Sequence, residues 1–298
     1  MNLYHLRVFQ TVAEHEHITR ASEELILSQP AVTKIIQSLE HETGLELIER
    51  HGRRIVLTHA GHVLHSYARR MFALEREMEE ALASLQDVEA GEIKLAANTT
   101  TGVYLLPPIV ARYRELYPQV SLHIDILNSH EIIEQTVNWT LDFGLVEGDP
   151  STLPSGLHVD VFAQDELVLV VAPDHRWSGL DELSPESLRE EELLLREQGS
   201  GIREVIEHAL LLHRVQVRPL FTLPDNEAIK QMVKTGVGAA IVSALAVQRE
   251  LISGDLIRIQ ITGVDLRPQL SLVRRTDKQL SRAAQAFCAL LQSADEIG

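Results

Sequence analysis

The sequence predicts an all-helical N-terminal module, one long helix behind it, and a C-terminal α/β domain. Three observations predict this. Apolar residues within 1–45 recur only at threes and fours. Residues 58–89 contain no proline and continue that spacing. From Glu92 onward, short apolar runs alternate with helical patterns, the texture of βαβ units around a largely parallel sheet. The 298 residues suffice for about two domains, each with a core of its own.

In the first module Leu3, Leu6, Phe9, Val12 and Ala13 form one stripe. Ala21 and Leu25 form a second, and Val32, Ile35 and Leu39 a third. Ser28 suits an N-cap, Pro30 falls in a first turn where its missing N–H is harmless, and Gly44 sits where a C′ glycine ends a helix. Residues 50–57 read as a two-stranded turn around Gly52. Thr58 or His59 then opens a helix to about Glu89, with apolar Val63, Leu64, Tyr67, Met71, Leu74, Met78, Leu82 and Leu85. At 1.5 Å per residue it is about 45 Å long, too long for one small domain to bury, so a partner helix is expected.

Strands are predicted at 93–97, 122–127, 142–146, 167–172, 220–223, 239–242, 257–261 and 270–274. Helices are predicted at 105–116, 131–138, 202–213, 227–234 and 279–291.

Charge and cysteine content exclude several classes. The formal net charge is −16, which argues against a surface that binds nucleic acid or anionic membrane everywhere. Only −2 of it lies in residues 1–60, with −3 in 61–90 and −11 beyond, so a small DNA-reading module stays open. The single cysteine, Cys288, excludes an intramolecular disulfide framework and a cysteine zinc site. Residues 1–7 lack the pattern of a signal peptide, and no 18-residue apolar segment exists to span a bilayer. A cytoplasmic location with no membrane partner is expected.

The informative stretch is 18–50, ITRASEELILSQPAVTKIIQSLEHETGLELIER. Two short helices joined at 25–27 make a helix-turn-helix. Small Ala21 and Val32 let the helices cross closely, while Leu25 and Ile35 are expected to fill the core. The second helix would present Ser28, Gln29, Pro30, Ala31, Thr33 and Lys34 at its N-terminal turns. Gln and Lys can bond base edges, Ser and Thr can reach phosphate or base, and Ala and Pro can meet a thymine methyl. Arg50, Arg53 and Arg54 around Gly52, with Arg20, supply cations for phosphate or minor groove. Arg54→Ala is expected to weaken binding to all sequences alike, and Gln29→Ala to change site preference.

With Arg50, Arg54 and the Leu57-Thr58-x-Ala60-Gly61 run after it, this stretch resembles the LysR-type transcriptional regulators. Tyr104-Leu-Leu-Pro107, Tyr113-x-x-x-Tyr117-Pro118 and 237–243 look like landmarks of that family's effector domain. The resemblance implies an all-α winged helix-turn-helix at 1–58 and a dimerising linker helix at 59–90. It further implies an α/β, periplasmic-binding-protein-like effector domain of two subdomains at 91–298. Subdomain I would take about 91–162 and 266–298, and subdomain II about 163–265. His17, Thr33 and Ile48 depart from common family residues, Thr33 keeping a hydroxyl and Ile48 an apolar anchor.

Asn98, Thr99, Thr100 and Thr101 follow a predicted strand and precede a helix, where doubly wound sheets bind ligands. The hydroxyls and first-turn amides suit an anion; plain N-capping by one Thr is the simpler alternative. Asn128 and Glu147 also follow strands. Gly199-Ser200-Gly201-Ile202-Arg203 is a glycine-rich turn opening a helix, with Ser200 and Arg203 as candidates facing the threonines. It lacks P-loop and dinucleotide spacing.

Other residues carry blander expectations. His59, His62 and His65 on the long helix are expected to be solvated, Cys288 a buried small hydrophobe, and 189–192 a solvated loop or helix start. No nucleophile elbow or metalloprotease spacing accompanies the 14 His. The expected protein is therefore a regulator, not an enzyme, with no metal or cofactor. Its partners would be double-stranded DNA at a partial inverted repeat, a small anionic effector, its own copies as dimer or tetramer, and RNA polymerase. The alternative is a cytosolic receptor or enzyme of binding-protein fold without DNA regulation.

Overall fold

A computed structural model describes residues 1–52, 54–83 and 90–293. The chain divides into two compact units, one built on Met1–Leu82 and the other on the C-terminal part.

In the first unit, α1 (Leu3–His15), α2 (Ile18–Glu24) and α3 (Gln29–Thr43) precede a hairpin of β1 (Ile48–His51) and β2 (Arg54–Leu57). The helix α4 (His59–Ala83) follows. Ser28 Oγ accepts from Ala31 N at 3.3 Å, Pro30 lies in the first turn of α3, and Gly44 ends it at φ 69°. His17 takes the place of the usual Ser or Asn: its Nδ1 accepts from Thr19 N at 3.2 Å and caps α2.

The core holds Leu6, Phe9, Val12, Ala21, Val32, Ile36 and Leu39. Leu3 is exposed, and Leu25 and Ile35 are only half-buried. The third stripe runs 32, 36, 39 instead of 32, 35, 39; a step of four keeps Ile36 beside Val32, while Ile35 turns toward the rim. Between α2 and α3, Ile26 stands exposed at φ 54°, a left-handed conformation costly for a β-branched residue.

One face of α4, with Ala60, Leu64, Ala68 and Phe72, packs on this core. On the other, Val63, Tyr67, Met71, Leu74, Met78 and Leu82 stay exposed; Leu85 lies outside the described residues. His65 is not solvated: it is 8% exposed, edge-on to Phe9, and accepts from Arg69 Nε at 3.2 Å. His59 and His62 remain exposed, so burial separates His65 from its two neighbours along the helix. Burial, with Arg69 and His62 nearby, pushes the His65 imidazole down to about 4.

In the second unit β3 (Ala90–Ala97) runs into a π-helical turn (Thr101–Leu105) and α5 (Leu106–Leu116). Then come β4 (Gln119–Ile126), α6 (Ser129–Val137), β5 (Phe143–Gly148) and β6 (Leu157–Gln164). After a first crossover follow β7 (Leu167–Val171), β8 (Glu182–Leu183), β9 (Glu192–Arg196), α7 (Gly201–Leu212) and β10 (Arg218–Leu223). Next are α8 (Asn226–Lys234), β11 (Ala239–Ser243), α9 (Ala244–Ser253) and β12 (Ile257–Ile261). A second crossover returns the chain to β13 (Gln269–Arg275) and α10 (Arg282–Gln292).

The strands form two sheets, ordered β4-β3-β5-β13-β6 and β10-β9-β11-β7-β12-β8. Both are mixed and not largely parallel: β13 runs antiparallel to β5 and β6, and β7 antiparallel to β11 and β12. The reversals sit at the strands beside the crossovers: β13, returned by the second crossover, inserts between β5 and β6, and β7, entered from the first, stands between β11 and β12. The six-stranded sheet is covered on both faces. Leu167, Leu169 and Val171 pack to one side and Val168 and Val170 to the other, which is why this strand reads as a continuous apolar run.

Sequence periodicity missed β6, β8, β9 and α9. The acidic run is no simple solvated loop: a 3-10 turn ends at Glu190, Glu191 bonds Arg176, and Glu192 opens the buried β9. Charges at the strand mouth hid the Leu193–Leu195 segment behind them. Cys288 packs against the core of the five-stranded sheet, its thiol pushed up to about 12 by burial.

Candidate functional site

In the N-terminal unit, α3 presents Ser28, Gln29, Pro30 and Lys34 to solvent, with Ala31 and Thr33 half-buried. Ser28 spends its hydroxyl on the cap. Arg20 and Arg50 are exposed. Among the described residues Gln29, Lys34, Arg20 and Arg50 make no side-chain hydrogen bond or ion pair. Arg54 differs: its Nε and Nη2 both bond Glu16 Oε2, at 2.9 and 2.6 Å. Ile55 N also donates to Glu16 O at 2.7 Å, so Glu16 ties the hairpin to the end of α1 and competes with any phosphate for Arg54. Arg53 lies outside the described residues.

In the C-terminal unit the two subdomains meet where several helices begin, and this junction is the candidate cleft. Asn98 organises one wall: its Oδ1 accepts from Thr101 N at 2.8 Å, its carbonyl from Gly102 N, and its Nδ2 donates to Glu147 Oε2 at 2.9 Å. Thr99 and Thr100 occupy the first turn that Asn98 opens, where amides have no intrahelical acceptor. The Thr100 and Thr101 hydroxyls are buried without a hydrogen bond among the described residues. Asn128 turns to its own helix, accepting from Glu131 N at 2.9 Å while Glu131 Oε2 accepts from Asn128 N, a reciprocal cap.

The opposite wall is the turn before α7. Ser200 heads that helix, is buried, and gives it no capping bond. The subdomains meet here: His130 N donates to Gly199 O at 3.0 Å, and Gly201 lies on the Glu147 backbone. A Cβ on Gly201 would stand 1.7 Å from Glu147 O, so only glycine permits this approach.

Arg203 does not face the threonines. Its Nε bonds Glu207 at 2.7 Å, one turn along α7, and its Nη1 bonds Arg196 O at 3.0 Å. The cleft cation is Arg196, at the end of β9. Its Nη2 reaches Thr99 Oγ1 at 3.4 Å, its Nη1 bonds Asn226 Oδ1 at 3.0 Å, and Glu197 takes two of its N–H groups. Sequence reasoning missed Arg196, Asn226 and Asp165. A charge directly after the apolar Leu193–Leu195 run was the one available signal for Arg196.

Glu147 is 2% exposed. Burial and the Asp165 carboxyl against it hold it well above the usual carboxylate range. Burial also raises Asp165, against the pull of the Ser243 hydroxyl. Asp165 stands in the first crossover, where its N–H donates to Pro268 O of the second at 3.0 Å.

Among the described residues no group of three His, Cys, Asp or Glu could hold a metal ion, and no helix is long and apolar enough to cross a membrane.

Comparison with known proteins agrees with this architecture. The sequence model "Bacterial regulatory helix-turn-helix protein, lysR family" matches residues 3–62, and "LysR substrate binding domain" matches 86–296. A RuBisCO operon transcriptional regulator of Allochromatium vinosum is 36% identical over 287 residues, covering 96% of this chain and 94% of the relative. A full-length OxyR variant from Pseudomonas aeruginosa shares the fold, with a TM-score of 0.75 at 22% identity over 98% of this chain and 94% of that one. The regulatory domain of Synechocystis PCC6803 CcmR, solved in complex with 2-PG, superposes with a TM-score of 0.63 at 26% identity. It covers 68% of this chain and 97% of that domain. The chain belongs to the LysR family: it is a DNA-binding transcriptional regulator whose helix-turn-helix is followed by an effector-binding domain.

Proposed function

We propose that this regulator binds a partial inverted repeat as a dimer or tetramer and responds to a small anion held in the cleft. The observation that carries the effector reading is the gathering of uncharged donors around Arg196. These are the hydroxyls of Thr99, Thr100 and Thr101, Ser200 at the head of α7, and first-turn amides on both walls. Such donors hold an anion without requiring a net positive cleft. Asn98 and Glu147 build the wall, and Asn128 supports α6 beside it.

The exposed seam on α4, from Val63 to Leu82, supports pairing of linker helices between copies. Paired helices would set two recognition helices about one DNA turn, or a multiple, apart. The domain bounds that fit are 1–58, 59–90 and 91–298, the last split into 91–162 with 266–298 and 163–265. Ligand acts by binding and not by turnover, shifting the placement of the DNA-reading pairs, through which RNA polymerase would be engaged. Gln29, Pro30, Ala31, Thr33 and Lys34 would read bases, with Arg20, Arg50, Arg53 and Arg54 on phosphate.

The name of the Allochromatium relative and the ligand of CcmR make 2-PG the first effector to try. The test is a fluorescence titration of 2-PG with the full chain, alongside footprinting on its own upstream DNA. Saturable binding that is lost in Thr100→Ala and Ser200→Ala, with a footprint that changes on adding 2-PG, is the expected result. An unchanged titration in both variants overturns the cleft assignment; absence of a sequence-preferring footprint overturns the operator reading.

A further inference from the structure

The floor of the cleft carries two carboxyl groups that the fold does not fully satisfy. Glu147 closes β5 and Asp165 stands in the crossover, both more than nine-tenths buried. One oxygen of each is supplied: Asn98 Nδ2 donates to Glu147 Oε2 at 2.9 Å, and Glu166 N to Asp165 Oδ1 at 2.8 Å. The other two, Glu147 Oε1 and Asp165 Oδ2, are sealed from solvent with no hydrogen bond among the described residues. The two carboxyl groups also lie against each other. Ionised carboxylates only accept, so two of them in contact and out of water repel with nothing between them.

The surroundings relieve this in part, but burial outweighs them. Thr100 faces Glu147 from the turn after β3, and Ser243 faces Asp165 from the end of β11. Arg196 faces Glu147 from the end of β9, but Glu197 already holds its guanidinium. Glu166, beside Asp165, adds negative charge and is itself held by Arg258 of β12. An arriving anion would meet Arg196 already paired and a carboxyl pair that is doubly negative unless it keeps a proton.

We propose that Glu147 and Asp165 share one proton, and that this proton links effector capture to pH: an anion binds the singly protonated pair and is released as the pair ionises. The inference rests on the anion reading above. With one proton the pair carries one negative charge instead of two. A bound anion adds negative charge and so raises the pair's proton affinity. Affinity is therefore full below the free pair's titration and falls as pH rises through it, by at most tenfold per pH unit. Because both groups are pushed upward, that window lies above the ordinary carboxylate range.

Two measurements on the full chain test it. Infrared difference spectra should show a protonated-carboxyl C=O band at neutral pH that disappears on alkaline titration and is altered in Glu147→Gln and Asp165→Asn. Calorimetry uses sulfate as probe, because sulfate keeps its two charges between about pH 5 and 9 and contributes no titration of its own. Sulfate affinity should fall over the window in which the band is lost, and Glu147→Gln, which leaves Asp165 as the single titrating carboxyl of the pair, should move that fall to lower pH. If Glu147→Gln does not fold, Asp165→Asn replaces it and must move the slope to lower pH.

A pair fully ionised at neutral pH overturns the shared proton. A pH-independent sulfate affinity in the wild-type chain, or a fall that stays at the same pH in the variant, overturns the linkage. Failure of sulfate and 2-PG to bind at any pH overturns the anion reading instead, while the infrared titration still decides the proton.

Discussion

The two units keep their candidate functional groups in opposite environments. Around α3 and the hairpin, Gln29, Lys34, Arg20 and Arg50 stand in solvent, drawn from about thirty consecutive residues. In the cleft, Asn98, Thr100, Glu147, Asp165, Arg196 and Ser200 are all buried and come from stretches at 98–100, 147, 165 and 196–200 that lie far apart along the chain. A surface that meets a polyanion gains from exposed, mobile cations and loses little when one is removed. A closed cleft depends on backbone approach and on polar atoms that water cannot reach, so single changes there should cost far more. The cleft is therefore the brittle region and the DNA-reading surface the tolerant one.

Gly201→Ala presses hardest on that contrast. Its Cβ must displace the Glu147 carbonyl or hold the subdomains apart. Overpacking of this kind costs about 3 kcal/mol, which urea unfolding of the full chain should show as an early transition assigned to the C-terminal unit. A variant as stable as the wild type would mean the two walls separate freely.

The N-terminal unit has one brittle point of its own, His65. Its folded pKa of about 4 lies below the ordinary imidazole value of 6.5. The unfolded chain therefore binds the proton first, and stability present above pH 6.5 is lost as pH falls toward 4. Between pH 6.5 and 5 the loss is about 2 kcal/mol. Thermal melting across that interval should show it, and His65→Leu should flatten the dependence. An unchanged slope in that variant would move the effect to other groups.

Ile26→Gly should run the other way, stabilising the helix-turn-helix by about 1 kcal/mol, because it removes a β-branched side chain from φ 54°. A melting temperature that drops would show that the exposed Ile26 packs on something in solution.

On the DNA surface the effects fall on binding and leave folding stability nearly unchanged. Arg50→Ala should weaken binding to all sequences alike and lower the salt slope by about 1. Glu16→Gln should slightly raise non-specific affinity by freeing Arg54 from its two bonds. Gln29→Ala should instead cost about 1–3 kcal/mol at one base pair. Identical sequence profiles for the Arg50 and Gln29 variants would erase the distinction between positioning and reading.

The helix-turn-helix was legible because its signals are local. Ser28, Pro30 and Gly44 mark one helix, and a small residue on each of two neighbouring helices marks their crossing. Periodicity failed where a neighbour decides the environment. It placed Ile35 in the core in place of Ile36, and His65 in solvent although α4 lays it against Phe9. Thr99, Thr100 and Thr101 are candidates from their place after a strand, since strand ends are readable. Arg203 is the cation the sequence signals, because a helix N-terminus is readable, whereas the i,i+4 bond that turns Arg203 to Glu207 is settled by competition between partners.

By itself the sequence determined the helix-turn-helix, the family, and the surface that α3 presents. Each of these follows from spacing along one segment, which the backbone converts directly into a face. Only the tertiary structure decided which cation lines the cleft, that both sheets are mixed, and that two carboxyl groups from β5 and the crossover meet out of water. Those facts depend on segments far apart in the chain arriving at one place, and no local period encodes that meeting.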